Sequence, residues 1–364
     1  MQVSSSLNPQ VVIIVPVVGY SESLAANLGS LLRQEYSFSR LICVTDTDAD
    51  PAVPVIRELQ RIDGRVLHIC SGSAEKCSQK NHNLLAGIQS LGPSFEGMLV
   101  FCDSGHIAPA YWLGRLIQPL RVSSEVVISS GYHQVIPASG SVVATGWAIC
   151  VLALNLVRRI PVAAQPWGGA MAMWLETFQE LKISILWSDT IVDDVTLACL
   201  LKKNGIDVTV PEKADLKTFI DKVSLAVWCD WLTRQWAYLK FVFPKSWFAL
   251  GLCGISLTIG LYLSTIILLL FWMNVVPLEL IVFCGVYKLS FIVFTLVLRS
   301  MHPSPGRFAF WYPAFFLTMF IAGWCHARTW FSRKIIWHNI TYTVAGGGKV
   351  VNIKRLPTPS GGIE

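Results

Sequence analysis

Met98 to His106, MLVFCDSGH, decides how the chain is read. Met98 to Cys102 is an unbroken apolar run of strand length. Asp103 stands where that strand would stop, ahead of Ser104 and the permissive Gly105. In an open α/β sheet, ligands bind in the crevice beyond the carboxyl ends of the strands. A carboxylate there can hold a divalent cation, and the cation can neutralise a diphosphate. The same residues also fit an Asx turn that merely closes a strand, so other stretches must carry the reading further.

Upstream, Val11 to Val18 reads VVIIVPVV, a β-branched run of the kind that parallel strands show when both faces are buried. Gly19 to Ser21 turn the chain, and Glu22 to Arg33 has helical spacing. A second strand, Leu41 to Val44, a helix from Pro51 to Arg61 and a third strand near Val66 to Ile69 continue the alternation. Repeated β-α-β order predicts a doubly wound α/β sheet. No GxGxxG phosphate loop is present, which disfavours a nicotinamide dinucleotide.

Asp46, Asp48 and Asp50 crowd the end of the second strand. They can serve the N-terminus of the following helix, or Asp46 or Asp48 can accept hydrogen bonds from a nucleotide base or ribose. In Ser78 to Asn83, SQKNHN, Lys80 at a helix start can reach a phosphate, and Asn81 and Asn83 can bond a base or the backbone. Gly168-Gly169 reads as a turn where the backbone approaches something closely, and Trp167 beside it is a candidate stacking platform. The adjacent carboxylates Asp193 and Asp194, with an apolar Val on each side, would raise each other's affinity for a proton, as suits a base working near neutral pH. One of the two can also cap the helix Val195 to Lys203.

Composition sets the second half apart. The 364 residues are 53% hydrophobic and only 14% charged, against roughly a quarter charged in soluble domains. Residues 1 to 245 hold 20 Lys+Arg and 21 Asp+Glu, and the remaining 119 hold 9 and 2, so the net +6 arises at the rear. Those basic residues are scattered between apolar runs rather than clustered, which argues against a nucleic-acid partner. Ten cysteines without a CxxC, most of them inside apolar runs, suit reduced thiols. The start, MQVSSSLNPQ, lacks a basic and apolar leader, so the front is expected in the cytosol.

Asp230 to Lys245 is amphipathic and rich in Trp and Tyr, which suits a helix lying in the headgroup layer. Phe248 to Trp272 and Leu278 to Leu298 are long enough to span a bilayer, the second interrupted only by Lys288. Phe308 to Ala327 is a third apolar stretch containing Pro313. Lys240, Lys245, Arg299 and Arg307 favour the cytosolic side, the loop from Met273 to Glu279 carries no basic residue, and Arg328, Arg333 and Lys334 favour the cytosol again. Three full crossings cannot satisfy that pattern. The third stretch is therefore expected to be a re-entrant or interfacial hairpin, with the tail beside the catalytic domain. Val142 to Val157 is expected to be a buried or membrane-lying helix. The domains read as 1–227 catalytic, 228–246 interfacial, 247–327 membrane-embedded and 328–364 cytosolic tail.

Taken in order, LICVTDTDADPAV from Leu41, KCSQKNHNLLAG from Lys76 and FCDSG from Phe101 open a series. Pro166 to Ala172, Val192-Asp193-Asp194-Val195, Arg234-Gln235-Trp236 and the tail from Ile336 through Tyr342 to Gly346-Gly347-Gly348 complete it. The order resembles the ceramide-glucosyltransferase-like branch of the family 2/family 21 glycosyltransferases. The resemblance implies a GT-A-type mixed sheet followed by a helical membrane region. It also implies transfer of a hexose from a UDP-sugar to a membrane lipid with inversion, assisted by Mg²⁺ or Mn²⁺. Asp46 or Asp48 would hold the uridine, with Lys80 and Asn81 also on the donor, Asp103 the metal and diphosphate, and Asp194 would be the base with Asp193 beside it. Trp167, Gly168 and Gly169 would line the sugar or acceptor pocket. In the (Gln/Arg)-x-x-Arg-Trp position, Leu232 and Gln235 replace two expected residues and Trp236 remains. Arg234 is offered as the compensating charge, with Gln235 and Trp236 near the donor. The alternatives are a processive polysaccharide synthase and an inactive membrane-anchored sugar-nucleotide-binding protein.

Overall fold

The computed structural model describes residues 9–137, 140–220, 223–271 and 276–356. β1 (Gln10–Pro16), α1 (Leu24–Leu32), β2 (Arg40–Thr45), α2 (Val53–Ile62), β3 (Val66–Cys70), α3 (Gln79–Gln89) and β4 (Gly97–Cys102) alternate as expected. They are followed by α4 (Trp112–Val122), β5 (Ile128–Ser130), β6 (His133–Pro137), α5 (Val142–Arg158), β7 (Ala170–Trp174), α6 (Leu175–Glu180), α7 (Ile183–Trp187), α8 (Asp194–Lys203), β8 (Val208–Thr209) and β9 (Leu216–Ile220). The chain continues through four long helices, α9 (Leu225–Val242), α10 (Pro244–Leu270), α11 (Leu278–Met301) and α12 (Phe308–Thr329). It ends in three short strands, β10 (Lys334–Trp337), β11 (Ile340–Val344) and β12 (Val350–Arg355).

The main sheet has the order β3-β2-β1-β4-β7-β5-β8. β1 pairs in parallel with β2 and β4, and β2 with β3, whereas β7 runs antiparallel to β4 and β5. Alternation along β1 explains its unbroken apolar run. Val11, Ile13 and Val15 enter the core on one face with Leu28, Leu31, Trp112 and Leu116, and Val12 and Ile14 enter the other with Leu84, Phe101, Trp187 and Leu197. Because β2 and β3 lie to one side of β1 and β4 to the other, the order reverses between β1 and β4. The crevice at their carboxyl ends is where such sheets bind ligands.

Two compact units form. One comprises Met1–Gln134, Asn155–Thr218 and Arg333–Glu364, and the other Val135–Leu154 and Phe219–Ser332. This division differs from the linear one expected from the sequence, and packing explains why. In the second unit, Gly146 of α5 lies against the Trp228 ring, with no room for a Cβ, and Trp147 meets Trp231 at 5.2 Å. Trp228, Leu232, Ile321 and Cys325 share a core that joins α9 to α12. The tail strands belong instead to the unit that carries the main sheet.

α10, α11 and α12 are long and apolar enough to cross a membrane, with mean hydropathies of 2.1, 2.3 and 1.5. Lys288, mid-way along α11, donates to the Leu261 carbonyl at 2.8 Å and to the Thr265 hydroxyl, so the half-buried amine has partners inside the apolar helix pair. The third apolar stretch is one continuous helix from Phe308 to Thr329 and not a hairpin. Pro313 lies in its second turn, where the missing N–H removes a single hydrogen bond and the ladder resumes beyond it. Met273, Asn274 and Val275 of the expected external loop lie outside the described residues.

Candidate active site

A lysine and three carboxylates meet at the sheet crevice of the first unit. Ser78 caps α3 by accepting the Asn81 N–H at 3.1 Å, and this fixes the first turn that carries Lys80. Lys80 Nζ lies 2.8 Å from Oδ1 of Asp103, just past β4, and 3.2 Å from Oδ2 of Asp193, just before α8. The Asp193 carboxylate occupies the space that a Cβ on Gly168 would need. The Gly168 N–H in turn donates to Asp194 Oδ2 at 3.0 Å, while the Val195 N–H donates to Asp194 Oδ1 at 2.6 Å. The glycine of the Pro166 to Ala172 stretch therefore approaches the acid pair, and both acids are placed by it.

The electrostatics follow from this geometry. Burial would push the Asp103 carboxyl up, but the Lys80 ammonium and the neighbouring His106 outweigh it and hold Asp103 below the usual carboxylate range. Asp193 goes the other way. Burial first, then the charges of Asp194 and Asp103, raise it to about 6 against the pull of Lys80. Lys80 is within ion-pair distance of Asp193 but is not aligned as a donor, so neither Asp193 oxygen takes a formed hydrogen bond. Burial also opposes the Lys80 charge, yet Asp103, Asp193 and Asp194 together keep it ionised well above its ordinary range.

A divalent cation fits this donor set in one way. Among the described residues no cluster of three or more His, Cys, Asp or Glu forms an all-protein cage. The Asp103 side chain is 32% exposed and has one oxygen outside the lysine contact. Magnesium commonly takes one or two carboxylates plus substrate phosphate oxygens, and Asp103 with a diphosphate would meet that need.

Other residues singled out from the sequence fall in different places. Asn81 is fully buried, and its amide donates to the carbonyls of Trp187 (3.3 Å) and Thr190 (3.0 Å) and to the Thr190 hydroxyl (3.2 Å). It is spent on holding the segment before the acid pair and is not offered to a donor. Asp50 takes the structural role at the second strand's end, accepting from Gly19 N–H and Ala52 N–H. Asp46 is half-buried and Asp48 exposed, near Arg57 at 3.5 Å and His68 at 3.8 Å. Trp167 is not an open platform, because the His133 ring stacks on it at 4.8 Å and 13°, and its own ring folds over Gly169. Asp193 makes no side-chain cap to α8. Arg234, Gln235 and Trp236 lie on α9 in the second unit, where the Trp236 ring meets His326 at 4.9 Å.

Two features were missed in the sequence. His106 and His133 both reach the Thr218 hydroxyl, at 2.7 Å each, although Thr218 lies 112 residues from the first and 85 from the second along the chain. The second is the tail. Ile191 N–H donates to the Gly348 carbonyl (2.9 Å), Val350 N–H to the Asp189 carbonyl (2.8 Å), and Lys349 pairs with Asp189 (2.9 Å). Gln79, beside Lys80, gives its N–H to the buried Tyr342 hydroxyl (3.1 Å), and its side-chain oxygen accepts from Arg355 (2.7 Å). The tail sheet thus braces both segments that deliver the charged cluster. The tail motif hinted at importance, but nothing in its spacing indicated where it docks.

Comparison with known proteins agrees with the fold. Residues 1–350 match glycosyl transferase family 21. No functionally curated protein matches the sequence. Among solved structures, the chain is similar to the mannosyltransferase PcManGT from Pyrobaculum calidifontis, solved in complex with GDP-Man and Mn²⁺, at 14% identity over 88% of each chain with a TM-score of 0.51. A weaker likeness, TM-score 0.40 at 15% identity over 65% of this chain and 81% of the other, is to glucosyl-3-phosphoglycerate synthase from Mycobacterium tuberculosis.

Proposed function

This chain belongs to glycosyl transferase family 21, and on that premise we propose that it moves a hexose, glucose first among the candidates, from UDP to the hydroxyl of a membrane lipid. The observation that carries the proposal is the juxtaposition of Lys80, Asp103 and the Asp193–Asp194 pair at the carboxyl edge of β4. In this reading Asp46 and Asp48 take the nucleoside, and Lys80 turns its charge to the diphosphate. Asp103 would hold a Mg²⁺ or Mn²⁺, which when bound would supply charge neutralisation for the diphosphate leaving group.

Asp194 is the base. It is half-buried and therefore reachable, whereas Asp193 is sealed at 1% exposure. Two backbone N–H groups fix the Asp194 carboxylate in place, as a positioned base requires. It takes the proton of the acceptor hydroxyl as that oxygen forms its bond to the anomeric carbon. The bond from that carbon to the diphosphate breaks on the opposite face, and an α-linked donor yields a β-glycoside. The apolar helices α10 and α11 suit an acceptor drawn from the bilayer, with the catalytic unit on the cytosolic side by the distribution of Lys240, Lys245, Arg299 and Arg307.

The test is incubation of detergent-solubilised protein and Mn²⁺ or Mg²⁺ with radiolabelled UDP-glucose, UDP-galactose, UDP-N-acetylglucosamine and GDP-mannose plus a total lipid extract. GDP-mannose is included because the similar mannosyltransferase PcManGT was solved with it. A labelled lipid that vanishes with EDTA and with Asp194→Asn is the expected result. Label confined to an insoluble polymer, or no incorporation by folded protein, would overturn the proposal.

A further inference from the structure

A cluster of aromatic and imidazole rings stands beside the charged cluster, in the same unit, and the chemistry assigned above does not use it. His106 lies three residues beyond Asp103, and the backbone pairs Ile107 with Lys217 in both directions (2.8 and 2.9 Å), which sets His106 next to Thr218. Leu216 N–H donates to the Tyr132 carbonyl at 2.7 Å, bringing His133 to the same place from the other side. The rings of His106 and His133 are 4.8 Å apart, and each contacts Trp167, at 5.2 and 4.8 Å. Trp167 precedes Gly168, whose N–H holds the Asp194 base. The imidazole pair therefore stands next to the residues assigned to the diphosphate and the base.

The Thr218 hydroxyl imposes a rule on the pair. It has one proton, so it can donate to only one of the two Nδ1 atoms that lie 2.7 Å from it. The other Nδ1 must carry its own proton and donate to the threonine oxygen. Burial pushes both imidazoles down, His106 to about 4 and His133 well below its ordinary value, so both rings are neutral at physiological pH. Each neutral ring has a single N–H. Among the described residues the two Nδ1 atoms are the hydrogen-bond partners of the Thr218 hydroxyl; with its proton given to one of them, that ring is protonated at Nε2, a donor, and the other at Nδ1, with its Nε2 an acceptor. Neither Nε2 is sealed in the interior without a partner, so these are the edges left for a ligand.

We infer that His106 and His133, set in opposite tautomers by Thr218, form a hydroxyl-reading subsite beside Trp167, one ring donating to and the other accepting from the hydroxyl groups of a bound hexose or acceptor. A hydroxyl both donates and accepts, so it complements such a pair, whereas a phosphate or carboxylate oxygen, which only accepts, satisfies half of it. The inference rests on the transfer reaction proposed above for the choice of ligand, whereas the tautomer rule rests on the Thr218 hydrogen bonds and on both rings being neutral.

The experiment uses the full chain in nanodiscs with ¹⁵N-labelled histidine. Long-range ¹H–¹⁵N correlation at pH 7 should show His106 and His133 neutral and in opposite tautomers, assigned by His106→Phe and His133→Phe. Thr218→Val should abolish that opposition and Thr218→Ser restore it. Two rings in the same tautomer, or either one charged, would overturn the inference. Binding of UDP-glucose, GDP-mannose, UDP and GDP is then measured by calorimetry, and the KM for total lipid acceptor by transfer assay. If the pair reads the donor sugar, Thr218→Val weakens the nucleotide sugar about tenfold and leaves the free nucleotide unchanged. If it reads the acceptor, donor affinity holds and the acceptor KM rises about tenfold, with recovery in Thr218→Ser. No change in either quantity, in protein whose wild type transfers sugar, would overturn the subsite alone. A wild type with opposite tautomers that transfers nothing would overturn the proposed reaction, and a saturable shift of the two Nε2 resonances on titration with free glucose would then decide the subsite by itself, its absence counting against it.

Discussion

Gly168 shows how much a single missing methyl group can decide. Its Cα faces the Asp193 carboxylate and its N–H holds Asp194, so Gly168→Ala should drive the first acid off its place and turn the second. Displacements of about 1 Å at a reacting centre can cost on the order of 10²-fold in rate. A loss of that size in kcat, with the thermal midpoint lowered by only a few degrees, is the expected result, and a mutant with wild-type turnover would show that the acids tolerate the shift. Asp193 gives a second prediction, in pH. Its carboxyl has a higher pKa folded, about 6, than its ordinary 3.8, so the folded state holds the proton more tightly. The stability that this group contributes is complete below about pH 4 and is lost as pH rises through 6. Asp103, held low, contributes with the opposite sign and loses its share only as pH falls. Asp193→Asn keeps the neutral form at every pH, so the fall in thermal midpoint between pH 4 and 6.5 should be smaller in the mutant than in the wild type.

At the level of elements, β1, β2 and β4 were legible because both faces of each strand are buried and the chemistry of the run leaves no other solution. Val12 and Ile14 pack opposite to Val11 and Ile13, and a continuous apolar run says as much. Asp103 was legible for the same reason, since it ends the most buried strand. Asn81 was not. A carboxamide in the first turn of a helix has equal reason to face a ligand or a backbone carbonyl, and only the arrival of Trp187 and Thr190 settles it. The tail strands, four to six residues long and largely polar on one face, carry too little pattern to show that they brace α3 and the Asp189–Ile191 segment. That brace predicts that Tyr342→Phe, which strips the acceptor from the buried Gln79 N–H, costs about 1–3 kcal/mol in stability, read by denaturant melts. It should also raise the donor KM several-fold more than it lowers kcat, because Lys80 sits next to the loosened amide. Equal change in both parameters would mean that the tail merely stabilises the fold.

Over the whole molecule, the connectivity constrains the membrane topology. The chain leaves the first unit at Thr218 and re-enters it at Arg333, so a first unit held on one face of a bilayer requires an even number of complete crossings between those residues. Three helices meet the length and composition for a span, and α12 is the one with the lowest hydropathy and a third of its apolar window covered by protein. α10 and α11 should therefore cross, and α12 should not cross completely. Epitope tags at Met1 and Glu364 should be labelled from the same face in sealed vesicles, and opposite labelling would refute this. The same connectivity governs the timing of synthesis. A ribosome completes β1 to β9 well before the tail, yet Gly348 and Val350, which hold the Asp189–Ile191 segment, emerge only after the last apolar helix has been translated. A nascent chain whose apolar helices are not yet complete thus lacks the final braces of its charged cluster, and the cluster is finished only when the rest of the polypeptide has been made.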